Sequence, residues 1–177
     1  MRRENTIQSL RIAVLMLAAS VVLPFAEGVL PFGERLVLAQ IPVLLAGLLC
    51  GAAYGAVIGV IAPFLSFVMT GAPAVYPDAV AMAVEYAFFA AVASPIFRSF
   101  ARRAGSLYTS LIAAMVAGRL GYLGAFYVML ELRKQPYSLA PYFRQECVDC
   151  WPGLLLQLIA VPLIVWAADN MGLLDEA

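Results

Sequence analysis

Charged residues fall in bunches along this chain, and the stretches between them are long and apolar. Between Arg35 and Asp78 lie 42 residues without a charge, enough for two bilayer crossings at roughly 20 residues each. The Cys50-Gly51-Ala52-Ala53 segment punctuates that stretch, so the pattern predicts one helix over 36–50 and another over 53–70. Other apolar runs predict helices over 7–26, 77–97, 106–131 and 152–171, the first with Pro24 near its end. The expected fold is all-α: a polytopic membrane protein of six transmembrane helices forming one domain, 1–177. Five spans is the alternative, if the short second helix is re-entrant.

Composition agrees with the pattern. The chain is 64% hydrophobic and 12% charged, against about 45–50% and about 25% in soluble domains. Too few polar groups exist to cover a soluble enzyme. Eleven basic and eleven acidic side chains cancel, so no net field draws nucleic acid. The absence of histidine, with only three cysteines, excludes His-based metal sites and Ser-His or Cys-His catalysis. No metal and no cofactor are expected.

Charge placement also sets an expected orientation. Arg2, Arg3, Arg11, Arg98, Arg102 and Arg103 fall on one side of an even number of spans, and Arg35, Arg133, Lys134 and Arg144 on the other. The richer side is expected to be cytoplasmic, together with both termini. The first apolar run is long and has no small-x-small site followed by a soluble domain, so it reads as a retained helix rather than a signal peptide.

Glu85 and Arg119 lie inside predicted spans, where an ionisable group costs a few kcal/mol and faces protein or water, usually with a partner. At about 1.5 Å per residue, Glu85 sits on the order of 12 Å below the outer end of its helix. Arg119 is about 18 Å below that end, and Gln157 about 8 Å. Tyr122 and Phe126 follow Arg119 by three and seven residues and share its face. Two readings stay open: a structural Glu85–Arg119 pair joining helices four and five, or a ligand pocket in the outer half with aromatic walls. In the second reading the arginine suits a carboxylate or phosphate, which its planar fork grips in bidentate fashion.

Glycines at 47, 51, 55 and 59, and at 118, 121 and 124, form small-residue ridges for close helix packing or for docking another membrane subunit. Cys147-Val148-Asp149-Cys150 is a single CxxC, half a zinc site at best; in an oxidising exterior it suits a small disulfide. Cys50 reads as packing. Trp151 and Pro152 read as an anchor where helix six meets the interface, and Tyr76, Tyr137, Tyr142 and Phe143 as interfacial residues, some placed to lid a pocket. No GxxxxGK[ST] phosphate loop is present, nor two halves with matching interrupted helices. A pocket without a motor implies a partner.

The segment IPVLLAGLLCGAAYGAVIGVIAPFLSFVMTGAPAVYP (Ile41–Pro77), then AMAVEYAFFA (Ala81–Ala90), LIAAMVAGRLGY (Leu111–Tyr122) and WPGLLLQLIAVPLI (Trp151–Ile164), resembles the substrate-binding S components of energy-coupling factor (ECF) vitamin transporters. The resemblance covers helices two to six and lies in order, spacing and length together. It implies an S-component fold of six helices with both termini inside, set in a prokaryotic plasma membrane. It also implies capture of a micronutrient from outside, and delivery with a transmembrane T subunit and two cytoplasmic ATPases; the chain itself is then no enzyme. The residues matching the family's pocket region are Glu85, Arg119, Tyr122 and Gln157, with Gln40, Tyr76, Phe126 and Trp151 as further binding or lid candidates. Relatives often carry histidine where this chain has Gln40, and several show an AxxxA motif in helix one that Ala13, Ala18, Ala19 and Ala26 do not reproduce. Arg119 leans the expected substrate towards a carboxylate such as pantothenate. A membrane ligand sensor or assembly subunit that transports nothing is the alternative function.

Overall fold

The computed structural model describes residues 2–29, 35–99, 104–132 and 143–171, without the side chains of 2–6, 28, 104 and 145–147. Among the described residues it is helical, with no strand. The helices are α1 (Arg2–Val29), α2 (Gln40–Cys50), α3 (Ala52–Thr70), α4 (Val80–Ser99), α5 (Ala104–Leu132) and α6 (Trp151–Asn170), with wide helical turns over Val75–Ala79 and Arg144–Asp149. All but α2 are long and apolar enough to cross a membrane, which makes five candidate spans among the described residues. Arg102, Arg103, Arg133, Lys134, Tyr137 and Tyr142 lie outside the described residues, as does the side chain of Cys147.

The second helix is shorter than expected and is not among the candidate spans. This helix begins at Gln40 rather than near residue 36 and has eleven residues, about 16 Å of length against a hydrocarbon core of about 30 Å. Every one of its residues is buried, with α1, α3, α4 and α6 packed around it. A helix apolar on all sides is one that is wrapped on all sides. Hydropathy does not say whether the wrapping is lipid or protein; here it is protein.

Close packing around α2 explains the first glycine ridge. A Cβ on Gly47 would lie 3.0 Å from Ala90 Cα, and one on Gly55 would lie 2.6 Å from Ala90 Cβ and 2.7 Å from Gly47 Cα. One on Gly59 would come within 2.8 Å of Tyr86. This ridge is therefore spent on internal packing against α4. Gly51 makes the α2–α3 turn at φ 105°, where a side chain would be strained. On α5, Gly118 and Gly121 receive the rings of Phe89 and Phe88, whereas Gly124 meets nothing within 4 Å.

Local chemistry sets the other boundaries. Gly71 ends α3 in a left-handed conformation, φ 77°, its N–H donating to the Phe67 carbonyl at 2.7 Å. Regular α4 starts at Val80, not Pro77, because Tyr76 is extended (φ −131°, ψ 130°), as a residue before proline prefers. Trp151 opens α6 with Pro152 beside it, where a missing N–H costs nothing.

Substituting Gly55 with Ala is expected to overpack the α3–α4 contact and cost about 1–3 kcal/mol. Gly124→Ala is expected to be neutral or to stabilise by about 0.5–1 kcal/mol, as for any glycine replaced in a helix interior with open space. Thermal unfolding of both variants in one detergent checks the contrast.

Candidate functional site

Four helices contribute to a buried polar chain. Arg119 Nη1 on α5 donates to Glu85 Oε1 on α4 in an ion pair. Gln40 Nε2, in the first turn of α2, lies 3.4 Å from the same carboxylate oxygen. Gln157 Nε2 on α6 donates to Gln40 Oε1 at 2.9 Å. All four side chains are buried: Gln157 is 0% exposed, Gln40 and Glu85 1%, Arg119 7%. Charges out of water are tolerated when paired, and Glu85 and Arg119 are paired within a chain that joins α2, α4, α5 and α6. Arg119 Nε and Nη2 and Gln157 Oε1 are buried with no hydrogen-bond partner among the described residues. The ion pair between helices four and five, one of the readings the sequence offered, forms.

A cavity of about 910 Å³ lies beside this chain, within the upper range of small-molecule sites, roughly 300–1,000 Å³. Its lining comes from the C-terminal parts of α1, α3 and α5, from the start of α2 and α4, and from Cys150 just before α6. These ends therefore gather at one end of the bundle, opposite the start of α1 and the end of α6. Along α4 the lining runs past the level of Glu85 to Tyr86, and along α5 Arg119 lies one turn, about 5 Å, deeper than Tyr122.

The sequence-predicted residues divide between these two features. Tyr122 and Phe126 line the cavity, their rings stacked with centroids 5.7 Å apart and planes at 23°. Glu85, Arg119, Gln157 and Gln40 form the chain beneath and are not among the lining residues. Tyr76 is at the rim: its hydroxyl donates to the Met129 carbonyl at 2.7 Å, fastening the α3–α4 loop to the end of α5. Trp151 is 58% exposed and outside the cavity, as an interfacial anchor would be.

Sequence reasoning passed over Ser20 and Glu27 on α1, Ser66 and Thr70 on α3, and Asp78 before α4, all of which line the cavity. Glu27 Oε1 accepts from the Leu38 N–H just before α2, where the partial positive charge of a helix N-terminus favours an anion. Thr70 Oγ1 lies 2.8 Å from the Ser66 and Ala72 carbonyl oxygens and accepts from the Ala72 N–H at 3.2 Å, bracing the loop. The available signal was modest: hydroxyls and carboxylates placed near the same ends of successive apolar runs.

The model of one protein family, "ECF transporter, substrate-specific component", matches residues 8–174. The chain belongs to that family. No curated protein and no solved structure matches it. It is thus the substrate-specific component of an ECF transporter, a multi-pass membrane subunit whose family works with T and ATPase subunits on a small-molecule substrate. For this S component, the cavity and the polar chain are the features that bear on substrate.

Removing one member of the buried pair leaves the other charge uncompensated, so Arg119→Ala and Glu85→Ala are each expected to cost about 3–5 kcal/mol. The double replacement Glu85→Leu with Arg119→Met is expected to cost much less than the two single losses together. A double-mutant cycle on detergent-solubilised protein, read by thermal unfolding, measures the coupling.

Proposed function

We propose that this S component captures a vitamin-like micronutrient from outside the cell in the 910 Å³ cavity and delivers it inward with a T subunit and two ATPases. The observation that carries this reading is the cavity's position, at the end of the bundle away from the start of α1 and the end of α6. Arg2, Arg3, Arg11 and Arg98 belong to that opposite end, and the positive-inside rule turns it to the cytoplasm of a prokaryote and the cavity outward.

In this reading Tyr122 and Phe126 contact the substrate directly, as apolar and aromatic walls do in small-molecule sites. Gln40, Glu85, Arg119 and Gln157 are positioning residues that hold the wall helices in register. Tyr76 keeps the rim loop in place, and Trp151 holds α6 at the interface. The lean towards a carboxylate such as pantothenate depended on Arg119 as a counter-charge. Arg119 pairs with Glu85 through Nη1 and is not among the described residues lining the cavity, so the lining lends that lean no support.

The test is occupancy and uptake with the cavity filled. Ser66 lies in the cavity wall, and Ser66→Phe places a ring in the space a ligand would occupy. The purified wild-type chain is expected to release a small molecule on denaturation, seen by mass spectrometry, and the variant to release none while unfolding at a similar temperature. Uptake in vesicles holding the T subunit and ATPases is expected to fall to background. Unchanged occupancy and uptake in the variant would move the site elsewhere.

A further inference from the structure

The cavity's own charges identify the class of substrate, an inference that rests on the substrate-binding reading above and deepens it. Its described lining carries two carboxylates, Glu27 and Asp78, and no lysine or arginine. Glu27 is committed at the start of α2 through its bond from the Leu38 N–H. Asp78 is different. It is half-buried at the rim and makes no hydrogen bond or ion pair among the described residues. The same lining includes the aromatic side chains of Tyr86, Tyr122 and Phe126. A carboxylate and aromatic faces in one partly desolvated space favour a positive charge, through ion pairing and through the negative faces of the rings.

The ion pair beneath adds no compensating positive field, because Arg119 is neutralised by Glu85. An anionic ligand entering this space would be desolvated while facing two like charges, with no cation among the described lining residues to offset them. A metal ion is also unsuited: no group of three His, Cys, Asp or Glu side chains able to hold one occurs among the described residues. We infer that the substrate of this S component is an organic cation, an amine or a positively charged heteroaromatic ring, with Asp78 as its counter-charge and the tyrosine and phenylalanine faces around it.

The full chain in detergent tests this. Whatever small molecule copurifies is identified by mass spectrometry, which gives its charge at neutral pH without any substitution. Calorimetric titration follows with thiamine as an organic cation, pantothenate as a carboxylate and riboflavin as a neutral probe. The expected result is a positively charged ligand whose affinity falls about ten- to hundredfold in Asp78→Asn, the range for a lost charge-assisted contact. Asp78→Glu, which keeps the charge, is expected to lose less, and decides the matter if Asp78→Asn does not fold. A ligand without positive charge, or a cation bound equally well by Asp78→Asn, overturns the inference and leaves the cavity as a binding site. No copurifying molecule and no heat with any of the three probes overturns the substrate-binding reading, and this inference with it.

Discussion

The rest of this bundle depends on α2 being too short to cross a bilayer. Eleven residues reach about 16 Å, so one end of the helix stops near mid-depth, and backbone groups there tolerate no lipid contact. Protein must enclose it. The enclosure brings α3 and α4 close enough that Gly47, Gly55 and Gly59 have no room for a side chain. The shortfall has a second consequence. Since α2 runs up from the Gly51 turn, the column above its start is left for other occupants, and Val37 and Ala39, just before its first turn, line the cavity that opens there. One short helix thus creates both the tight half of the molecule and the hollow half.

At the start of this short helix the Gln40 and Ile41 N–H groups donate to the Val37 and Leu38 carbonyls at 3.2 Å, and the Leu38 N–H turns to a side chain. Glu27 from α1 accepts from the Leu38 N–H, placing negative charge where the helix dipole favours it. Gln40 takes up the neighbouring position and passes the connection to Glu85 and Gln157. Arg119 then neutralises Glu85. The last of these steps follows from burial: a buried carboxylate needs a cation, and an intramembrane cation needs to stay paired.

Much of this was legible in the sequence. The long spans were readable because lipid demands about 20 apolar residues and charges interrupt them. Glu85 and Arg119 stood out because ionisable groups are costly at depth, and counting residues along each helix placed Gln157 and Tyr122 near them. What was not legible had physical reasons. α2 is uniformly apolar, and a helix wrapped in protein has the same hydropathy as one wrapped in lipid. The cavity's own polar groups were missed because Ser20 and Thr70 are cheap to bury when their hydroxyls bond to the Leu17 and Ser66 carbonyls. Asp78 and Glu27 sit at span ends, where a charge draws no notice. Nor does depth alone separate a residue that lines a hollow from one packed a turn below it.

That division inverts the usual expectation for charges in membranes, which makes an intramembrane ionisable residue a functional candidate by default. Here the deep charges cancel one another and hold four helices together, while the charges at the span ends face the space where a ligand would bind. The physical reason is the local dielectric. A deep charge must be paired to be tolerated, and a paired charge has less field left for a ligand. A carboxylate at the rim, half in water, is tolerated alone and keeps its field. On the proposed reading, selectivity changes by substitution at the rim without disturbing the pair on which the packing of the bundle rests.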